Sequence, residues 1–95
     1  MAKQLDWSLR ARADVGAIEE YYAMTASSET AAMARDAIVR AAVRLAALPA
    51  TFRNGKHGER QYVMRRFPYT IIYRETGNVI RVVRVLHQAR KYFNK

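Results

Sequence analysis

The sequence predicts an α+β fold with elements in the order β-α-α-β-β-β: a short N-terminal strand and an antiparallel helical hairpin packed on a small antiparallel β-sheet. Three observations predict it. Apolar residues recur at helical spacing through the first half of the chain. Pro49 and the pair Asn54-Gly55 then break that pattern. Beyond them lie three runs rich in β-branched and aromatic residues, separated by gaps too short for parallel crossovers.

Gln4-Leu5-Asp6-Trp7 alternates polar and apolar residues, as a brief strand does. Ser8 stands where a helix N-cap belongs, its hydroxyl able to accept from an otherwise unpaired backbone N–H. Ala11, Val15, Ile18 and Tyr22 follow on one helical face, predicting a helix from Leu9 to Met24. Ser27 and Ser28 offer the next cap. Ala31, Ala34, Ile38, Ala41, Leu45 and Leu48 then form a second stripe, and Pro49 stops it because it lacks a backbone donor. The small alanines let the two helices approach closely. Residues 51–58 form a loop, and strands are expected over Arg60–Arg66, Tyr69–Glu75 and Val79–His87. Pro68 marks the first gap and Gly77-Asn78 supplies a tight turn in the second. One face of the resulting meander must bury against the hairpin, which leaves the other free to carry arginine.

At 95 residues, 51% hydrophobic and 26% charged, the chain has the size and composition of one globular domain spanning residues 1–95. No apolar run approaches the ~20 residues needed to cross a bilayer, and the N-terminus lacks the hydrophobic stretch of a secretory signal. With no cysteine there is no disulfide, thiolate metal site or cysteine nucleophile. The expectation is a cytoplasmic protein without membrane association. Only His57 and His87 are present, too few for a metal centre; Gly55-Lys56 lacks the flanking residues of a phosphate-binding loop, and no cofactor is expected.

Charge is unevenly distributed. Residues 1–50 carry six Lys/Arg and six Asp/Glu, whereas residues 51–95 carry eleven Lys/Arg against Glu59 and Glu75, which accounts for the net charge of +9. A neutral half joined to a basic half points to a polyanionic partner. Arg60, Arg65, Arg66, Arg74, Arg81 and Arg84 lie along the expected meander, with Arg90 and Lys91 just beyond. Acidic neighbours that would neutralise them locally are expected to be missing. The set is therefore expected to bind phosphate or acidic side chains rather than merely protect an edge strand from aggregation. Strand alternation puts Arg81 and Arg84 on opposite faces unless a bulge intervenes. His87 and Tyr92, near guanidinium groups, have the chemistry for acid–base work on a ribose–phosphate. The plainer expectation is that His87 packs at a strand end and bonds a backbone group.

The order of these motifs resembles the RelE/ParE superfamily of bacterial type II toxin–antitoxin toxins over residues 5–92. The resemblance rests on the Ser8-led helix with Asp14-Val15, Ile18 and Tyr22, and on the second helix ending in Leu48-Pro49. It continues through Phe67-Pro68-Tyr69-Thr70-Ile71-Ile72-Tyr73-Arg74 and the ending Val83-Arg84-Val85-Leu86-His87-Gln88-Ala89-Arg90-Lys91. It implies a helical hairpin on a small antiparallel sheet, and a growth-inhibiting toxin silenced by a cognate antitoxin that alone would contact operator DNA. RelE-like members cut mRNA on the ribosome, and ParE-like members poison DNA gyrase. For a ribonuclease the matching residues are Arg60, Arg66, Arg84, His87 and Tyr92. Gln88 follows His87, however, and the ending looks more like the ParE-like branch. The resemblance then implies target contacts at Arg84, His87, Arg90, Lys91 and Tyr92, and antitoxin contacts at Arg60, Arg65, Arg66, Arg74, Arg81 and Arg84. The alternatives are a ribosome-dependent mRNA endonuclease and a non-toxic basic nucleic-acid-binding module.

Overall fold

The computed structural model describes residues 3–47 and 58–89. The elements are β1 (Gln4–Trp7), α1 (Leu9–Thr25), α2 (Ser28–Ala47), β2 (Glu59–Val63), β3 (Tyr69–Thr76) and β4 (Val79–His87). Both helices begin as their caps require. The Ser8 hydroxyl accepts from the Ala11 N–H at 3.0 Å, and the Ser27 hydroxyl accepts from the Thr30 N–H at 3.0 Å. The expected stop at Leu48-Pro49 and the loop at Asn54-Gly55 lie outside the described residues.

The four strands form one sheet in the order β1-β4-β3-β2. β2, β3 and β4 make the expected antiparallel meander, closed by Gly77 at a positive φ of 56° in the two-residue turn. β1 pairs parallel to β4, with Leu5 opposite Ile80 and Trp7 opposite Val82. The hairpin is thus the crossover that carries the chain from one sheet edge to the other before the meander returns. β2 is shorter than the run Arg60–Arg66 suggested: it ends at Val63, and Met64 to Pro68 form the turn into β3.

The core lies between hairpin and sheet. Ala11 and Ile18 of α1, and Ala34, Ile38, Ala41 and Leu45 of α2, pack on Ile71, Tyr73, Ile80, Val82 and Val85. Alternation turns Ile72 to the second face of the sheet, where it and Leu86 are also buried. That face is therefore not given over to arginine alone.

Helix α1 also completes the edge of β4 where β1 runs out. The Ser8 N–H donates to the Val82 carbonyl at 2.9 Å and its hydroxyl to the Val83 carbonyl at 2.7 Å. The Val85 N–H donates to Asp14 Oδ2 at 2.9 Å. Buried backbone groups need partners, and these side chains supply what a longer β1 would have supplied.

Candidate functional site

The β3–β4 register shifts between Ile72 and Tyr73, which oppose Arg84 and Val82 and leave Val83 as the extra residue. This bulge changes the alternation that would separate Arg81 from Arg84. Arg84 turns toward α1, donating from Nε to Asp14 Oδ2 at 2.8 Å and from Nη2 to Asp14 Oδ1 at 3.1 Å. Its side chain is only 13% exposed.

Arg74 and Arg81 sit directly opposite each other on β3 and β4, a repulsive placement taken alone. Carboxylates on the two outer strands offset it. Glu59 of β2 is the strand partner of Arg74 and accepts from its Nη2 at 3.0 Å, and Asp6 of β1 is the strand partner of Arg81 and accepts from its Nη1. The four side chains form one row across all four strands, acid–base–base–acid. Arg60 pairs with Glu75 Oε1 at 3.2 Å, and Lys3 takes the other oxygen of Glu75 at 3.2 Å. The sequence expectation that these arginines lack neutralising neighbours is thus corrected. Asp6 and Asp14 are remote in sequence and come alongside only through the parallel pairing of β1 and the docking of α1.

Arg65 and Arg66 behave differently. They follow β2, are exposed, and line a groove of about 570 Å³ together with Arg40 and Arg44 of α2. Ala37, Ala41, Val63 and Met64 contribute its apolar surface. Arg66 also lies over the Phe67 ring, 5.8 Å from its centroid. No carboxylate pairs with Arg40, Arg44, Arg65 or Arg66 among the described residues. The sequence hid this quartet because Arg40 and Arg44 belong to the half that sums to neutral. Their spacing of four did place them on one face of α2, but only the fold shows which strand they border.

His87 ends β4. Its Nδ1 accepts from the Ala89 N–H at 3.0 Å, and its ring meets Tyr69 edge-on at 5.5 Å between centroids, as the plainer expectation had it. Gln88 fastens this end of the strand by donating to the Met64 and Tyr69 carbonyls at 2.9 and 3.3 Å. Tyr69 is part of an aromatic group with Tyr22 and Phe67. Burial pushes its hydroxyl above the ordinary tyrosine pKa, and a hydrogen bond with Tyr22 adds to the shift. Arg60 and His87, two of the candidate ribonuclease residues, stand apart. Arg60 stands opposite Tyr73 and His87 opposite Tyr69, four residues or roughly 13 Å apart along β3, while Arg84 is held by Asp14. Arg90, Lys91 and Tyr92 lie outside the described residues. Among the described residues no acidic, histidine or cysteine cluster is arranged to hold a metal ion, and no helix is long and apolar enough to cross a membrane.

A two-helix hairpin laid across a sheet of order β1-β4-β3-β2 is the architecture of the RelE/ParE-like fold. The chain belongs to the ParE toxin family of type II toxin–antitoxin systems (parDE), whose family model matches residues 5–92. Among solved structures it is similar to a chain described as the chromosomal ParDE toxin–antitoxin system from P. aeruginosa, at a TM-score of 0.77 and 26% identity, covering 90% of this chain and 96% of that one. No curated protein matches it in sequence.

Proposed function

We propose that this toxin arrests growth by binding and poisoning DNA gyrase, and that a cognate antitoxin holds it silent. The single observation that supports the choice of target is the engagement of Arg60 and Arg84, two residues a ribonuclease would need, by carboxylates of the same chain. Arg84, the best-placed guanidinium on β4, is bound at both of its carboxylate contacts to Asp14. Arg60 is paired with Glu75, and one nitrogen of His87 is occupied by the Ala89 N–H. Cleaving a phosphodiester requires a base, an acid and a charge stabiliser around one phosphate. Poisoning requires only a surface that traps the target, and His87 with the basic residues Arg90 and Lys91 and with Tyr92 is the surface proposed here. Arg84 leaves that set and becomes a structural residue. The ParDE description of the similar structure supports an antitoxin partner for this chain as well.

The test is to add purified toxin to gyrase with relaxed plasmid and, separately, to ribosomes programmed with mRNA. Loss of supercoiling with accumulation of cleaved DNA, and intact mRNA, is the expected result. Codon-positioned mRNA cuts with gyrase unaffected would make the protein a ribosome-dependent endonuclease. Inactivity in both assays would leave a basic binding module.

A further inference from the structure

Helix α1 carries apolar residues on two faces. Ala11 and Ile18 are buried against the sheet, and Val15 and Tyr22 pack beside them. On the far side Ala13, Ala17 and Met24 are exposed, with Leu9 and Tyr21 at the flanks; Leu9 and Met24 are 81% and 79% exposed. Arg10 and Glu20 complete this outer face. Arg10, Ala13, Ala17, Glu20 and Met24 recur at spacings of three and four, the pattern of a seam that packs along another helix. Asp14 and Glu19 of the same helix are taken by Arg84 and Arg35. Arg10 and Glu20 have no ion-pair partner among the described residues, and neither is otherwise engaged there. Ten residues of helix, about 15 Å, keep them from reaching each other.

We propose that two copies of this chain meet on that face, α1 antiparallel to α1 about a two-fold axis beside Val15. The axis sets Arg10 of each copy level with Glu20 of the other, and Ala13 level with Ala17. One helix's two unpaired charges are thereby answered at both ends, as a self-complementary interface requires. Ala13 and Ala17 have no side chain beyond Cβ, so the helix axes can approach to about 8 Å at the crossing. Charge also selects the occupant. The net charge of +9 belongs to residues 51–95, whereas α1 holds two arginines against three acids. A polyanion gains nothing on such a surface, and a second copy can meet it away from the basic half of the chain. One helix face is smaller than the roughly 800 Å² per partner of a standard interface, so the dimer is weak and its population follows concentration. It does not depend on gyrase being the target.

The experiment is sedimentation of the purified chain from about 1 μM to about 1 mM, where a monomer–dimer equilibrium is expected. Arg10→Glu and Glu20→Arg each set like charges together at both contacts, and each should weaken the dimer about tenfold or more. Both place charge as the helix macrodipole favours, so neither should lower the melting temperature. An equimolar mixture of the two variants should associate as the wild type does, because every contact in the mixed dimer again pairs opposite charges. Ala13→Glu/Ala17→Glu should leave a monomer throughout. A wild type that stays monomeric at the highest concentration would overturn the proposal. So would charge variants that associate normally, a mixture no better than its components, or a dimer that survives Ala13→Glu/Ala17→Glu. Melting curves of each variant keep a folding defect from being taken for lost association.

Discussion

Asp14 grips Arg84 with both carboxylate oxygens and, through Oδ2, also takes the N–H of the next residue, Val85. One side chain of α1 thereby satisfies a guanidinium and a backbone donor on a strand edge that β1 is too short to reach. Both members are largely shielded from water, at 16% and 13% side-chain exposure. Removing one partner would strand a charge in a poorly solvated place.

Asp14→Ala should therefore cost about 2 to 4 kcal/mol in urea unfolding, near the range for breaking a shielded pair. Arg81→Ala removes a guanidinium that is 54% exposed and should cost about 1 kcal/mol or less. Equal losses in the two variants would show that the Asp14 contact does not hold α1 to β4.

The helical stripe offers a second comparison. Leu45 is 2% exposed beneath the sheet, and Val43, two residues away, is 53% exposed. Leu45→Ala should lose about 2 to 5 kcal/mol from a transfer and a cavity contribution together. Val43→Ala should stay within about 0.5 kcal/mol. Coincident urea midpoints would place α2 in a different register.

These two comparisons differ in how far the sequence foretold them. The apolar stripe of α2 and the Ser8 cap are local patterns, and periodicity and capping chemistry predict them without knowledge of the rest of the chain. The Asp14–Arg84 contact spans 70 positions and depends on β1 joining the sheet beside β4. Nothing in a four-residue strand announces its pairing partner. For the same reason Arg81 and Arg84 look unopposed in the sequence, since local charge counting cannot see Asp6 or Asp14; Arg60 and Arg74 are met instead by Glu75 and Glu59, whose cross-strand placement depends on the register of β2 on β3. Arg40 and Arg44 were invisible as site residues because they sit in a stretch whose charges sum to zero. The bulge at Val83 was foreseeable only as a condition on Arg81 and Arg84, since one inserted residue leaves no mark in a β-branched run.

Tyr69 gives the fold an alkaline limit. Its hydroxyl ionises less readily in the folded protein, where it is buried and bonded to Tyr22, than in the unfolded chain, where it titrates near the ordinary value of about 10. Because the folded pKa is the higher one, the contribution is fully present below the unfolded value and is lost as pH rises above it. Thermal melts taken from neutral pH to above pH ~10 should show a steeper fall for the wild type than for Tyr69→Phe. Parallel curves would mean that another group sets the alkaline limit.

The mode of toxicity predicts how activity responds to mutation. A catalytic residue acts at the reacting atoms, so its loss typically costs about 10²-fold or more. A contact residue in a trapping surface usually contributes a fraction of the binding free energy, and activity erodes as contacts are removed. His87 is exposed, and its known contacts are a backbone N–H and the edge of Tyr69. His87→Ala should thus weaken gyrase inhibition by about tenfold or less, and deletion of residues 90–95 should weaken it further, because it removes the positive charges of Arg90, Lys91 and Lys95. Arg84→Ala needs a stability control, since it removes the partner of Asp14 and can abolish toxicity by loosening α1. A stable His87→Ala protein that loses all activity in one step would indicate chemistry at that imidazole, and the mRNA assay would then be the place to look for it.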